Sequence, residues 1–429
     1  MIKYKESGVD WIGEIPENWK IQRLKMVLKE RNESNDPVKT NFILSLTNDR
    51  GVIPYSEKGD IGNKAKDDIS GYKLAYPNDI VLNSMNVVIG SVGISNFFGA
   101  VSPVYYMLNK RNEKDDIRYY NYIFQSKEFQ NKLKGYGNGI LEIRMRIPMT
   151  KLNSINLPIP SSEEQKRIAD LLDKKCLQID ELISIQEQEI EKLKEYKTAV
   201  ITKAVTKGLD DSVLMKDTGI AWIGEIPEHW EFKKLKFISN KFSKGNGITK
   251  EDIVENGDTP CVRYADIYTK YQNSFTECKV RTNKDKIASP QYFEHGDILF
   301  TATGELVEEI GKSIAYLGNE KCLAGGDVII LKHTQNPEFF GYALDSHYAR
   351  IQKGYGKTKL KVVHTSVFII GNMYVALPDL EEQSKIVEYL NKKSSEIDNL
   401  IDIKNKKIEE LKTYKKSMIY EYVTGKRSV

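Results

Sequence analysis

Residue types capable of chemistry are scattered through this 429-residue chain, but their spacing matches no catalytic centre. Gly311-Lys312-Ser313 imitates the end of a phosphate-cradling loop, G-x-x-x-x-G-K-[ST], whose backbone amides wrap a phosphate that the lysine also reaches. The earlier glycine of that loop would fall on Leu306, and the counterpart in the first half, Gly93-Ile94-Ser95, has no lysine. An adenine methyltransferase needs a Gly-rich cofactor loop and an Asn/Asp-Pro-Pro-aromatic turn, and Asn156-Leu157-Pro158-Ile159 is not such a turn. His229, His295, His333, His347 and His364 all lie in the second half without metal-ligand spacing, and they read as surface or turn residues. Cys176, Cys261, Cys278 and Cys322 have no CxxC spacing, so reduced thiols are expected rather than disulfides or a zinc site.

What remains is recognition chemistry. Reading a base edge needs Arg, Lys, Asn, Gln, Ser or Thr in the groove, whereas contacts to phosphate only position the protein. In the first half these types cluster in the loop Lys58 to Lys66, with Asn63, Lys64 and Lys66, and in Asn83, Ser84 and Asn86. In the second half they cluster at Lys244 to Lys250, Arg263-Tyr264, and Thr301 to Thr303. Each half adds a basic tail, Arg144 and Arg146 in one, Lys357, Lys359 and Lys361 in the other. Taken singly, each residue reads more simply as a solvated surface group. As a set lining one face, they describe a DNA-binding surface.

Composition sets loose bounds. Lys and Arg exceed Asp and Glu by four, a weak argument for nucleic acid by itself. Hydrophobic content of 40% supports real cores, and the length suits two or three domains. The start MIKYKESGVDW lacks an apolar export run, and no stretch is long and apolar enough to span a bilayer. A cytoplasmic protein without membrane contact is expected.

The recognition loops need a frame, and the frame is duplicated. Glu163 to Thr206 has neither Pro nor Gly, and its apolar positions alternate by four and three. The seam runs Leu172, Cys176, Ile179, Ile183, Gln186, Ile190, Leu193, Lys197, Val200, Ala204. This predicts one helix of roughly 65 Å with a coiled-coil seam that needs a partner. The partner recurs at an offset of 218 residues, from Glu381 to Thr424, with the seam Leu390, Ser394, Ile397, Ile401, Lys404, Ile408, Leu411, Lys415, Met418, Tyr422. Polar breaks coincide, Gln186 with Lys404 and Lys197 with Lys415, as expected for residues that set register. Gly8-Val9-Asp10-Trp11-Ile12-Gly13-Glu14-Ile15-Pro16-Glu17-Asn18-Trp19 returns 211 residues later as Gly219 to Trp230, and these two copies hold all four tryptophans. That motif reads as packing chemistry.

Between the markers lie two mixed α/β segments. Each has an Asp-Ile strand start (Asp79-Ile80 and Asp297-Ile298) and a later short strand, Pro103 to Leu108 and Asp327 to Leu331. Each then has an aromatic-rich helix, Asp116 to Lys134 and Asn336 to Lys353, stopped by Gly-Tyr-Gly. Asn41 to Lys66 has no counterpart in Lys241 to Arg281. The expected fold is α+β: two mixed α/β domains joined by two long antiparallel helices, with internal pseudo-twofold duplication. The boundaries are residues 1–160 for the first motif and domain, 161–208 for the central helix, 209–378 for the second motif and domain, and 379–429 for the C-terminal helix.

This tandem plan resembles the specificity (S) subunit of Type I restriction–modification systems. The resemblance covers essentially the whole chain: both Trp-Ile-Gly-Glu-Ile-Pro-Glu-x-Trp motifs, both Leu-Pro…Glu-Glu-Gln helix starts, and both domains. Leu44-Ser45-Leu46-Thr47, Arg50-Gly51-Val52-Ile53-Pro54 and Gly71-Tyr72-Lys73-Leu74 look like one class of target-recognition domain. Thr259-Pro260-Cys261-Val262-Arg263-Tyr264 and Asp266-Ile267-Tyr268-Thr269 look like another. The resemblance implies a non-catalytic DNA-recognition subunit in which each domain reads half of an interrupted DNA site. It implies that the helix pair fixes the gap and docks two modification subunits, with S-adenosylmethionine on those partners. Restriction subunits would add ATP- and Mg-dependent translocation and cleavage. No cofactor or metal is expected on this chain. The first long helix, with nine basic and ten acidic residues from Glu163 to Lys207, is near neutral and suits protein docking better than phosphate binding. The competing reading is a structural adaptor with two protein-binding heads on a coiled-coil rod. A third, a fused methyltransferase, lacks its cofactor motif.

Overall fold

A computed structural model describes residues 3–48, 50–59, 64–137, 146–304, 307, 310–355 and 363–429. The chain divides into two compact units, Met1–Glu187 with Asn405–Val429, and Gln188–Lys404. Each therefore combines one mixed α/β domain with half of each long helix.

The long helices run Ser162–Lys207 and Leu380–Val423. Ser161 and Asp379 start them by accepting the amides of Glu164 and Glu382, and acidic residues in each first turn suit the positive end of the helix dipole. The seam lies where the repeat places it. In the first unit Leu172, Cys176 and Ile179 are buried with Met418, Ile419 and Tyr422, while Ile183 and Leu411 pack at the edge of that core. Ile408 is also buried in that unit, as are Ile190 and Ile397 in the second. There Leu390 packs with Ala204 beside the half-buried Val200. Leu193 and Ile401 are half-buried.

The three lysines among the polar breaks make ion pairs across the helix pair. Lys197 reaches Asp398 at 2.7 Å in the second unit, and Lys415 reaches Asp180 at 2.7 Å in the first. The offset of 218 carries Lys197 onto Lys415 and Asp180 onto Asp398, so one ion pair is made twice. Lys404 meets Glu189 at 2.6 Å. Within the second unit the partners of residues 189 and 197 descend from 404 to 398, so the segments run antiparallel. Such half-exposed pairs contribute little stability, but a slipped register would leave them unmatched.

Each domain is introduced by a two-stranded hairpin, Tyr4–Glu6 with Glu14–Pro16 and Met215–Asp217 with Glu225–Pro227. Trp19 and Trp230 behind them are fully buried. The strand before each long helix returns to the chain just after its motif: Asn156–Ile159 pairs with Lys20–Arg23, and Tyr374–Leu377 with Glu231–Lys234. This ties both ends of each domain to a helix start.

In the first domain an antiparallel sheet has the spatial order Leu28–Arg31, Tyr105–Lys110, Ile80–Asn83, Val92–Ile94. In the second domain the order is Ser239–Lys244, Val328–His333, Ile298–Thr301, Ser313–Tyr316, Ser274–Phe275. The shared Asp-Ile start has a structural cause. Asp79 accepts the Tyr76 amide and Asp297 the Glu294 amide, each closing the turn that launches the central strand. The domains then diverge. The first adds the hairpin Leu44–Thr47/Gly51–Pro54, whereas the second adds a four-stranded sheet, Val280–Thr282, Thr259–Val262, Cys322–Ala324, Tyr292–Phe293.

Two expectations need correction. The later strands are Tyr105–Lys110 and Val328–His333, starting one to two residues beyond the expected positions. Each aromatic-rich helix is two helices: Ile117–Gln125 then Lys127–Lys134, and Pro337–Asp345 then His347–Gly354. The break is Ser126 or Ser346, extended in backbone, with its hydroxyl donating to the carbonyl three residues back. Serine offers the backbone this local alternative, and apolar periodicity does not register it.

One core substitution between the copies titrates. Leu133 of the first domain corresponds to Lys353 in the second, counting from the paired serines. Both are fully buried, and Lys353 Nζ donates to the carbonyls of Gly311 and Leu344 at 2.5 Å. Burial pushes its pKa down to about 8 from 10.5. The unfolded chain therefore binds the extra proton between those values, and stability rises with pH across that window by about 1.4 kcal/mol per unit. Below the folded pKa the penalty is constant, and above 10.5 it is gone. In Lys353→Met this component of the rise vanishes. Urea midpoints of both chains between neutral pH and pH ~10 measure it, and parallel curves would refute the assignment.

Candidate nucleic-acid interface

In the first domain four of the expected recognition residues converge on a cleft of about 850 Å³. Lys58, Lys64, Asn83 and Asn86 line it, together with Arg50, Tyr55, Tyr72 and Tyr105. Arg50 is brought there immediately before the second strand of the hairpin Leu44–Thr47/Gly51–Pro54. Thr47 Oγ1 accepts the Arg50 amide at 3.1 Å, and Gly51 takes φ +65°. Gly93 lets the hairpin seat on the sheet, because a Cβ there would lie 2.9 Å from Gly51 Cα. Arg50 Nη2 donates to the Glu57 carbonyl at 3.2 Å. The loop carrying Lys64 and Lys66 is pinned by two tyrosine hydroxyls, Tyr55 accepting the Ala65 amide at 2.8 Å and Tyr72 the Lys66 amide at 3.1 Å. Lys58 lies 5.2 Å over the Tyr55 ring. Lys64 and Lys66 are exposed.

Asn83 ends the central strand, and its amide oxygen accepts the Met85 amide at 3.0 Å. Ser84 is fully buried, its hydroxyl donating to the Val104 carbonyl at 2.8 Å. That removes Ser84 from any surface a base edge could reach; it braces the loop instead. Its carbonyl accepts the Ile147 amide, which holds the exposed Arg146 beside the cleft-forming loop. Burial lowers the Lys73 pKa, and the Arg146 charge lowers it further although Glu30 opposes.

In the second domain the turn Gly325–Asp327 gathers the recognition residues. Lys244 Nζ lies 3.6 Å from Asp327 Oδ1, Gly325 N donates to Val262 O beside Arg263, and Ala302 N donates to Asp327 O beside Thr303. The backbones meet closely enough that a Cβ on Gly245 would strike the Gly325 carbonyl. Lys244 and Lys250 are exposed, and Tyr264 is 40% exposed. Arg263 instead clamps Asp266, Nε to Oδ2 at 3.0 Å, capping the helix Tyr264–Lys270. Burial would raise the Asp266 pKa, but hydrogen bonds from Arg263 and Lys270 outweigh it and hold it low. Thr301 is fully buried with its hydroxyl 2.8 Å from Tyr268 Oη, so it too is a brace and not a reader. Thr303 is half-buried, its Oγ1 3.2 Å from Nδ1 of the exposed His364.

Asn63, Arg144, Lys357, Lys359 and Lys361 lie outside the described residues. Arg50 and His364 were not among the expected contact residues. The offset of 218 that maps Arg146 onto His364 was the available signal for the second. Lys312 donates to the carbonyls of Ile267 and Tyr271 at 2.9 Å, so Gly311-Lys312-Ser313 is a structural segment. No group of three metal-ligating side chains forms among the described residues, and no helix among them is long and apolar enough to cross a membrane.

A family model, the Type I restriction modification DNA specificity domain, matches residues 16–195 and again 227–413. The Type I restriction enzyme MjaVIII specificity subunit of Methanocaldococcus jannaschii is 27% identical, over 96% of this chain and 93% of that protein. The EcoKI specificity subunit of Escherichia coli is 29% identical over 54% of this chain and 49% of its own length. A chain from a structure of assembly and conformational transition in a type I R-M system aligns with TM-score 0.71 at 13% identity, covering 95% of this chain and 98% of that one. The HsdS subunit of Thermoanaerobacter tengcongensis aligns with TM-score 0.51 at 14% identity, over 96% and 98%. These two show the fold.

Proposed function

The chain belongs to the Type I restriction-modification DNA specificity family, and from that premise we propose how its parts divide the work. It is the DNA specificity subunit of a Type I restriction-modification system, and its two specificity domains fit the two halves of a target. The first domain reads its half-site with the cleft of Arg50, Asn83 and Asn86, while Lys58, Lys64, Lys66 and Arg146 hold phosphates. The second reads with the groups around Gly325–Asp327, namely Lys244, Tyr264, Thr303 and His364, together with the exposed Lys250. Arg fits guanine and Asn fits adenine bidentately in the major groove, so these are the residue types such a surface needs.

The long helices act as the spacer that sets the gap, and their outer faces dock two modification subunits. Those partners carry S-adenosylmethionine and methylate adenine, and restriction subunits add ATP- and Mg-dependent steps. This chain performs no catalysis and works in the cytoplasm on double-stranded DNA. The observation that carries this reading is the doubled family domain on a repeated helical frame.

Binding by the purified chain with its modification partner tests it. Specific binding should require both half-sites at one gap, and log K should fall steeply with log salt, by about 0.9 per phosphate contact. Binding equally tight to either half-site alone would refute the two-part reading, and binding no tighter than to unrelated DNA would favour the adaptor.

A further inference from the structure

Three of the four cysteines lie in the second domain, and the first domain has none, since Cys176 belongs to the central helix. Cys261 and Cys322 sit on neighbouring parallel strands of the four-stranded sheet that the second domain adds. They serve opposite faces: Cys261 packs with Ile248, Ile287 and Leu323, and Cys322 with Phe275, Phe293 and Tyr316. Cys278 lies on the connection between Ser274–Phe275 and Val280–Thr282 and packs against the face of Cys322. It is half-buried, whereas Cys322 is fully buried. The Cys278 thiol donates a hydrogen bond to the Cys322 sulfur. Cys322 Sγ also lies 3.3 Å from Tyr316 Oη and 3.4 Å from the Glu320 carbonyl.

Hydrogen bonds from Cys278 and Tyr316 hold the Cys322 thiol below its ordinary range, although burial opposes them. The thiolate is the form that oxidants attack, and a second thiol in contact with it can resolve the product. We propose that Cys278 and Cys322 form a reversible disulfide on exposure to hydrogen peroxide, and that this bond weakens reading of the second half-site. The Cys322 sulfur takes one oxygen from the peroxide, giving a sulfenic acid and releasing the other oxygen as water. The Cys278 sulfur then attacks that sulfur, the S–S bond forms, and a second water leaves. Two thiols are oxidised and one peroxide is reduced. Closure draws the sulfurs from hydrogen-bond contact to about 2.05 Å.

Both ends of the bond lead to recognition residues. The strand Cys322–Ala324 runs directly into the Gly325–Asp327 turn, and the Ala324 carbonyl accepts the Asn246 amide between Lys244 and Lys250. Beside Cys278, the Lys279 amide donates to Tyr271 Oη at 2.7 Å, and Tyr271 ends the helix that begins at Tyr264. The effect on DNA rests on the second domain reading a half-site; the bond itself does not. The first domain, without cysteine, serves as an internal control.

Trypsin places Cys278 in residues 271–279, Cys322 in 322–332 and Cys261 in 251–263. The full chain with its modification subunit is treated with hydrogen peroxide and digested without reductant. A parallel sample is bound to DNA in which each half-site is scrambled in turn. The expected product is a linked peptide, 271–279 with 322–332. Preference for the second half-site should fall by about tenfold, the scale of one lost base pairing, with the first unchanged. A dithiol reductant should reverse both effects. Cys278→Ser should show neither, Cys261→Ser should show both, and the peptide mapping of the native chain needs no variant to fold. No linked peptide, a bond through Cys261 instead, or a linked peptide with second half-site reading unchanged overturns the proposal. A reduced chain that favours neither half-site would refute the DNA reading itself, and the linked peptide would still decide the bond.

Discussion

Four residues inserted at the same register in both long helices, beside Glu187 and beside Lys404, change the gap in the recognised DNA and leave both half-sites intact. Four residues add about 6 Å of rise and about 40° of rotation to an α-helix. One base pair adds about 3.4 Å and about 34° to B-DNA, so the preferred gap should lengthen by one to two base pairs. The original site should fall toward non-specific affinity, on the order of a thousandfold weaker, while the lengthened site gains. Both helices must change together. An insertion in one alone shifts one seam past the other and separates Lys197 from Asp398 or Lys415 from Asp180. Binding to DNA libraries of varied gap measures the effect. A gap unchanged by the double insertion would mean that the helices do not set it.

The second large effect separates base reading from phosphate holding within the first domain. Alanine at Arg50, Asn83 and Asn86 together should relax preference at one half-site and leave the other strict. Each bidentate pairing with a base is worth about 1–3 kcal/mol of discrimination, so the combined drop is on the order of a hundredfold or more. Alanine at Lys58 and Lys64 should instead weaken all DNA alike and lower the salt slope by about one for each phosphate no longer neutralised. The fold should tolerate both sets, because Lys58 and the two asparagines are half-buried and Arg50 and Lys64 exposed. Site selection from random half-sites distinguishes the outcomes. Relaxation at both halves, or at neither, would contradict the assignment of this cleft to one half-site.

The frame was legible in the sequence because it repeats at two scales. The four-three step of Leu172 to Ala204 gives the helix and its buried face, and the 218-residue offset identifies the partner and the polar breaks. Ion pairs such as Lys197–Asp398 needed the structure, since a seam lysine does not say which carboxylate it meets. The serine breaks were hidden because Ser126 and Ser346 interrupt neither the apolar pattern nor the aromatic content of their segments.

The candidate site was only partly legible. Lys58, Lys64, Asn83 and Asn86 do converge, yet Ser84 and Thr301, of similar chemistry, face inward. Ser84 follows the strand Ile80–Asn83 and Thr301 ends one that is buried throughout, so the packing around them decides which way such a residue points, and composition does not. Arg263 shows the same limit, because its guanidinium is held by a carboxylate three residues on. Differences between the copies are plain in the sequence, but Leu133 against Lys353 acquires meaning only once the helices that carry them are placed.

The central claim is that this chain supplies the sequence specificity of a two-part DNA site to partners that methylate adenine. The most direct test maps methylated adenines in DNA from cells expressing the chain with its modification subunit. An interrupted motif, two short specified halves separated by a fixed unspecified gap, is the expected result, and its methylation should disappear when this chain is omitted. A continuous motif, or methylation that persists unchanged without the chain, would contradict the account.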